Sequence, residues 1–389
     1  MLYESLPKNT TIEFSFQTKG WDESEFRKSG GFVAVVLNYN KKAEIKVACE
    51  SALQQDFTIY EVLFMDDAST DGSYDIMLDV ARAFSADCKN FSDGRQIKLT
   101  VVKNLTNQTI LGQWSIAVSI SKGTWFGMFC GDDISLPCRI QTVKSIIASY
   151  PTVRAVCTSG QIQGGGRIGK GSTPLAWRGT DRVLPLNYWL GCTSFWHRDV
   201  LIKSFGRHNM DDFVLMWNAI ILCQGTSDVV LIWALDKSTI QYKVGTGVST
   251  EHANKFRSSN NWLAKTWNMA LAARRFGKKF CAHTWKFIVE FDKRYGKDSY
   301  LREQIHGYYR LNQMKSANWF GRLKILIIVL IFERRNEYGG VRKEIIEGCL
   351  KTFSLFLLGP ISFVMLLAPK ELVRRIRRKL PENINKTGE

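Results

Sequence analysis

A chain of 389 residues with 45% hydrophobic side chains can bury a full core, in one large domain or two. Its nine cysteines are odd in number and include no C-x-x-C pair, which argues against a disulfide framework and fits a reducing compartment. The net charge of +17 sits entirely at one end: residues 1–254 carry 25 basic and 25 acidic side chains, residues 255–389 carry 28 and 11.

The opening residues, MLYESLPKNTTIEFSF, lack the basic and apolar regions of a secretory signal, so the chain is expected to begin in the cytosol and stay there. Residues 1–31 read as an extension. From there the elements alternate. Residues 32–39, FVAVVLNY, form a buried strand by their β-branched run. Residues 42–55 have helical spacing, with Ile45, Cys49 and Leu53 on one face. Strands follow at 60–65, 98–102 and 125–130, and helices at 73–84 and 112–121. Such alternation implies a mostly parallel sheet wound with helices, an α/β domain over residues 32–254.

From residue 258 the pattern changes to aromatic-rich basic helices, so residues 255–389 read as a separate α-helical region. Two uncharged runs, LKILIIVLIF (323–332) and TFSLFLLGPISFVMLLAP (352–369), are flanked by Arg and Lys. Cations beside apolar runs fit an anionic lipid surface better than nucleic acid. The second run has 18 residues, the lower limit for a spanning helix, and Gly359-Pro360 breaks it at its middle. Interfacial or re-entrant helices are expected, with a true span and a buried hairpin as the other readings.

Three acidic pairs carry the chemistry. Asp66-Asp67 ends the second strand, in EVLFMDDASTDGS; Asp132-Asp133 follows the fourth, in TWFGMFCGDDISLP. Ligands of open α/β sheets bind outside the carboxyl ends of the strands. Adjacent acids there suit an anionic ligand held through a divalent metal, and so a nucleotide diphosphate. Asp67 could accept from the ring N–H of uracil or thymine, or else cap the next helix; Ser69 and Asp71 read as turn formers. Asn38 and Asn40 line the same crevice or cap the following helix. The third pair, Asp211-Asp212, precedes the apolar helical run FVLMWNAIILCQG, where it could serve the helix dipole alone. The stretch 164–169 satisfies G-x-G-x-x-G, but Gly171 stands where a P-loop needs Ser or Thr, so a mobile loop is expected. His197 has no ligand partner at metal spacing and reads as a packed histidine.

The stretch VAVVLNYNKKAEIKVACESALQQDFTIYEVLFMDDASTDGS resembles the opening of the family 2 glycosyltransferases of the GT-A fold. Tyr39-Asn40, Ser51, Gln55 and Asp67-Ala68-Ser69-Thr70-Asp71 carry the likeness. Gly123, Asp132-Asp133 and Asp211-Asp212 supply the later blocks in order, over about residues 32–250. The resemblance implies that Asn38, Tyr39, Asn40 and Asp67 bind the nucleotide. It places Asp132 at the ribose or the metal, Asp133 at Mg²⁺ or Mn²⁺, and Asp212, with Asp211, at the general base. Lys243 matches a basic segment that touches diphosphate. The acid two residues before the metal ligand is missing: Gly131 stands there, and D-x-D-D becomes Cys130-Gly131-Asp132-Asp133.

The chain is therefore expected to be an inverting glycosyltransferase of cell-envelope polysaccharide type, peripheral to the cytoplasmic membrane face. Its donor would be a UDP- or dTDP-sugar and its acceptor a polyprenyl-diphosphate-linked glycan, with no nucleic-acid partner. The Q-x-x-R-W of processive synthases is absent, so single-sugar addition is expected. A catalytically silent GT-A scaffold and a nucleotidyltransferase are the other classes weighed.

Overall fold

The computed structural model describes residues 7–87, 94–168, 175–178, 191–204 and 227–243, with Ala219 and Val289 besides. By its contacts the chain divides into two compact units, Met1–Lys255 and Phe256–Glu389. The expected helices and apolar runs of residues 255–389 lie outside the described residues. Among the described residues, no helix is long and apolar enough to cross a membrane.

Four parallel strands make the centre of the sheet: β2 (Phe32–Asn38), β3 (Ile59–Asp67), β4 (Gln96–Asn104) and β5 (Trp125–Cys130), in the order β4-β3-β2-β5. β2 and β3 are buried along their whole length, which is why both read as unbroken apolar runs. Between them run the helices α2 (Ile45–Leu53), α3 (Ser73–Asp87) and α4 (Thr109–Ile120). One core cluster joins Phe32, Ala34 and Val36 of β2 with Tyr60, Val62 and Phe64 of β3. Ile45 and Cys49 of α2 and Met77 of α3 pack into it. The alternate residues Val33, Val35 and Leu63 are buried as well, on strands that α4 also contacts. Each such side chain contributes roughly 1.5–3 kcal/mol when fully buried.

Beyond β5 the sheet continues through β10 (Ser194–His197), β7 (Ala155–Ile162), β11 (Val229–Tyr242) and β6 (Ile134–Ser135). β10 runs antiparallel to both its neighbours, and β11 runs parallel to β7. α5 (Arg139–Ser149) and α6 (Arg198–Ser204) flank this half, and β9 (Leu175–Arg178) pairs with β11. At the opposite edge, β1 (Thr10–Gln17) pairs antiparallel with β4, and α1 (Glu23–Lys28) follows it. The segment that reads as an extension in sequence is therefore in part an edge strand.

The glycine stretch also departs from expectation. Gly164, Gly165 and Gly166 all have positive φ and turn β7 tightly into β8 (Arg167–Ile168), closed by the Ile162 N–H donating to the Gly166 carbonyl. Its described part is a hairpin turn rather than a mobile loop. His197, half-buried, packs edge-on against Trp125, as expected of a packed histidine.

The motif residues Ser51 and Gln55 have a structural task. Ser51 Oγ accepts from the Ser135 N–H, just past the second acidic pair. Gln55 Nε2 donates to the Ser51 and Leu136 carbonyls, and its Oε1 accepts from the Ile140 N–H. Together they tie the end of α2 to the segment leaving Asp132-Asp133. Gln55→Leu leaves these buried groups unpaired at about 1–3 kcal/mol each, only some of which relax. Urea unfolding should show a loss of about 2–4 kcal/mol; a change under about 0.5 kcal/mol would contradict this role.

Candidate active site

Both acidic pairs stand at the carboxyl edge of the parallel strands, as the sequence predicts. Asp66 and Asp67 close β3, beside Asn38 at the end of β2 and Asn104 at the end of β4. Asp132 and Asp133 follow directly from β5, the other neighbour of β2.

The loops after β2 and β3 interlock. Asn38 Nδ2 lies 2.7 Å from Asp66 Oδ1 and 2.9 Å from Ser73 Oγ. The Ser69 N–H donates to the other Asp66 oxygen. The Asn40 N–H donates to Ser69 Oγ, Asn40 Oδ1 accepts from the Thr70 N–H, and Asp71 accepts from the N–H groups of Lys42 and Ser73. Ser69 and Asp71 are thus turn formers, and Asn38 and Asn40 brace the same turn. Tyr39 between them is exposed. Among the described residues, three non-glycine residues take positive φ, and all are at this edge: Asn40, Ala68 and Thr109. Asn tolerates that conformation; Ala and Thr are strained there by about 1–3 kcal/mol each, a cost that concentrates at functional sites.

Asp67 is buried, and its carboxylate accepts from Asn104 Nδ2 and from the N–H groups of Gln108 and Thr109. Burial pushes its pKa up, partly offset by these donors, so it stands above the ordinary value. The acid fixes the loop that opens α4, which nothing in the local sequence around Asp67 announces.

The second pair meets cations. Lys41, itself buried, places its ammonium 3.7 Å from Asp132 Oδ2. Asp133 is 5% exposed and accepts from the Lys243 N–H at 3.1 Å. The Lys243 ammonium pairs with Glu44 at 2.8 Å. Burial, and then the neighbouring Asp132, push the pKa of Asp133 up to about 7. Beneath the loop, the buried Arg139 donates to Ser135 Oγ and to the Met128 and Cys192 carbonyls, and stacks over Phe129. Sequence reasoning missed Lys41, Glu44 and Arg139, whose burial and pairing have no local signature.

Gly131 is tightly placed. A β-carbon there would stand 3.0 Å from the Leu37 carbonyl oxygen and 3.1 Å from Ile45 Cδ1, so those neighbours would have to give by a few tenths of an ångström. Cys130, Asp132 and Asp133 instead bring one sulfur and two carboxylate groups within 4.8 Å of one another. The donor set fits a divalent ion, since two adjacent acids on a buried loop repel unless a cation joins them. Asp211 and Asp212 lie outside the described residues. A groove of about 670 Å³ between α2 and α3 includes none of these acids.

The pKa of Asp133 has a consequence for stability. Raised above its unfolded value of 3.8, it makes the folded state bind the extra proton between about pH 4 and 7, so this group's contribution weakens as pH rises through that window. In metal-free protein, Asp133→Asn should therefore gain about 1–3 kcal/mol over the parent at pH 8 and little at pH 4. A loss of stability at pH 8 in urea titrations would contradict the assignment.

Similarity to known proteins agrees with this arrangement. The profile described as Glycosyl transferase family 2 matches residues 33–203. A Bacillus subtilis (strain 168) protein named as a putative glycosyltransferase, EpsE, is 28% identical over 131 residues, 33% of this chain and 43% of that protein. An uncharacterized glycosyltransferase of Haemophilus influenzae is 26% identical over 122 residues, 31% of this chain and 36% of that one. The chain thus spans under half the length of these relatives. The S. aureus TarS 1–349 structure in complex with UDP-GlcNAc shares the fold at TM-score 0.53 and 13% identity, covering 84% of this chain and 92% of that one. With the acidic pairs at the carboxyl ends of a parallel sheet, residues 33–203 match the glycosyl transferase family 2 profile and share the GT-A fold.

Proposed function

We propose that this chain is an inverting glycosyltransferase that moves one sugar from a UDP- or dTDP-sugar to a polyprenyl-diphosphate-linked glycan at the cytoplasmic membrane face. The observation that carries the reading is the buried acid pair Asp132-Asp133, beside the interlocked loops of Asn38 and Asp67 and braced by Lys41 and Lys243. Asp67 and the 38–40 turn hold the nucleotide, with Tyr39 exposed as a face for the base. Asp132 and Asp133 hold a divalent ion, Mg²⁺ or Mn²⁺ by their oxygen donors, which neutralises charge on the leaving diphosphate. Asp212 takes the proton of the acceptor hydroxyl as that oxygen attacks the anomeric carbon, and Asp211 is the other acid of that pair. Inversion results because attack and departure occupy opposite faces of the sugar. The basic, apolar residues 255–389 support a lipid-borne acceptor and an anionic membrane surface, since a soluble acceptor would leave them without a task.

A screen of nucleotide sugars should find one donor that releases nucleotide diphosphate only with a divalent ion. Asp133→Ala should abolish that release; full activity of the variant in chelator would remove the ion from the account. Asp212→Asn should keep donor binding while transfer falls about 10²–10⁴-fold, and normal turnover would place the base elsewhere.

Attachment is tested separately. The full chain should sediment with anionic liposomes, and charge reversal at Arg374, Arg375, Arg377 and Arg378 should release much of it. Binding that survives both the reversal and removal of residues 317–389 would refute the tail as anchor.

A further inference from the structure

We propose that Cys130 supplies a sulfur ligand to the ion site of Asp132 and Asp133, so that this site selects a borderline divalent ion such as Zn²⁺ or Co²⁺ over Mg²⁺. The inference rests on the reading of the acid pair as an ion site, and with the sulfur counted it replaces the Mg²⁺ or Mn²⁺ that the carboxylate oxygens alone would take.

Three observations carry it. Cys130 occupies the first position of the D-x-D-D spelling, where the resemblance expects a carboxylate. Its Sγ and the carboxylate oxygens of Asp132 and Asp133 lie within 4.8 Å of one another. Zn–S and Zn–O bonds of about 2.3 and 2.0–2.2 Å in tetrahedral geometry put two ligand atoms on one ion about 3.6 Å apart, so side-chain rotations draw the set together as the ion binds. The third observation is Asn38. Its Oδ1 is buried with no hydrogen-bond partner among the described residues, and it lies 3.3 Å from where a Gly131 β-carbon would stand. A polar atom left unpaired against the backbone between the ligands is costly unless a bound group meets it.

The position two residues before Asp133 is a glycine, so among the described residues the side chain that joins the two acids is Cys130. Carboxylates alone suit Mg²⁺ or Mn²⁺; adding a thiolate shifts preference toward ions that accept sulfur. As the sulfur–metal bond forms, the thiol proton leaves to solvent, and no electron transfer is involved.

The test is a Co²⁺ titration of the full chain without any sugar donor, read by the sulfur-to-cobalt charge-transfer absorption. The wild-type protein should give a saturable band that Zn²⁺ displaces and about a hundredfold excess of Mg²⁺ does not. Cys130→Ser, nearly isosteric, should lose the band and bind Co²⁺ and Zn²⁺ about tenfold or more weakly, with Mg²⁺ binding changed far less. Cys130→Asp should move the preference toward Mg²⁺ and Mn²⁺. A band that persists in Cys130→Ser, or no band at saturating Co²⁺ in the wild type, would overturn the proposal. Because no sugar is present, the titration separates the two readings. A wild-type chain with no band but Mg²⁺-supported transfer keeps the transferase and loses the sulfur ligand. A chain with the band but no transfer does the reverse.

Discussion

The carboxylate of Asp66 is fully buried, and a buried charge must be met by donors from its own fold. The donors it finds are the Asn38 amide, at the end of the neighbouring strand, and the Ser69 N–H in its own loop. That pairing fixes the ends of β2 and β3 to one another. Everything else at the edge is set from there: Asn40 docks on Ser69 and Thr70, Asp71 receives the start of the next segment, and Asp67 is left pointing to the loop that opens α4. Removing the Asn38 amide would leave one buried Asp66 oxygen without this donor, a loss of roughly 1–3 kcal/mol.

The second acid pair hangs from the same edge. Asp132 and Asp133 leave β5 on a loop whose Gly131 N–H donates to the Leu37 carbonyl. Ser51 and Gln55 grip the loop from α2, and Arg139 grips it from α5. Burial pulls the pKa of Arg139 down to about 10, so it stays charged at neutral pH and offsets part of the acids' repulsion. Lys41 offsets more at Asp132. The pKa of about 7 on Asp133, raised first by burial and then by Asp132, marks a carboxyl whose charge a bound cation would stabilise.

Much of this was legible in the sequence, for a physical reason. Strands buried on both faces read as continuous apolar runs, so β2, β3 and β5 and the acids at their ends announce themselves. β1 does not: TTIEFSFQ sits at the edge with most of its length exposed to some degree, and only its pairing with β4 makes it a strand. The partners of Asp67 come from 37 to 42 residues downstream, and Lys41 reads as any surface lysine until the fold buries it. Gly131 illustrates the limit best. In sequence it is an absent acid; in the fold it is a tight position whose N–H is tied to the end of β2.

The central claim is that the turns after β2, β3 and β5 form one nucleotide-diphosphate site. Amide hydrogen exchange of the full chain with UDP, with and without a divalent ion, tests it most directly. The account predicts ion-dependent slowing at residues 39–42, 67–71 and 131–134 together. Slowing confined to the groove between α2 and α3, or none at 131–134 with the ion present, would contradict it.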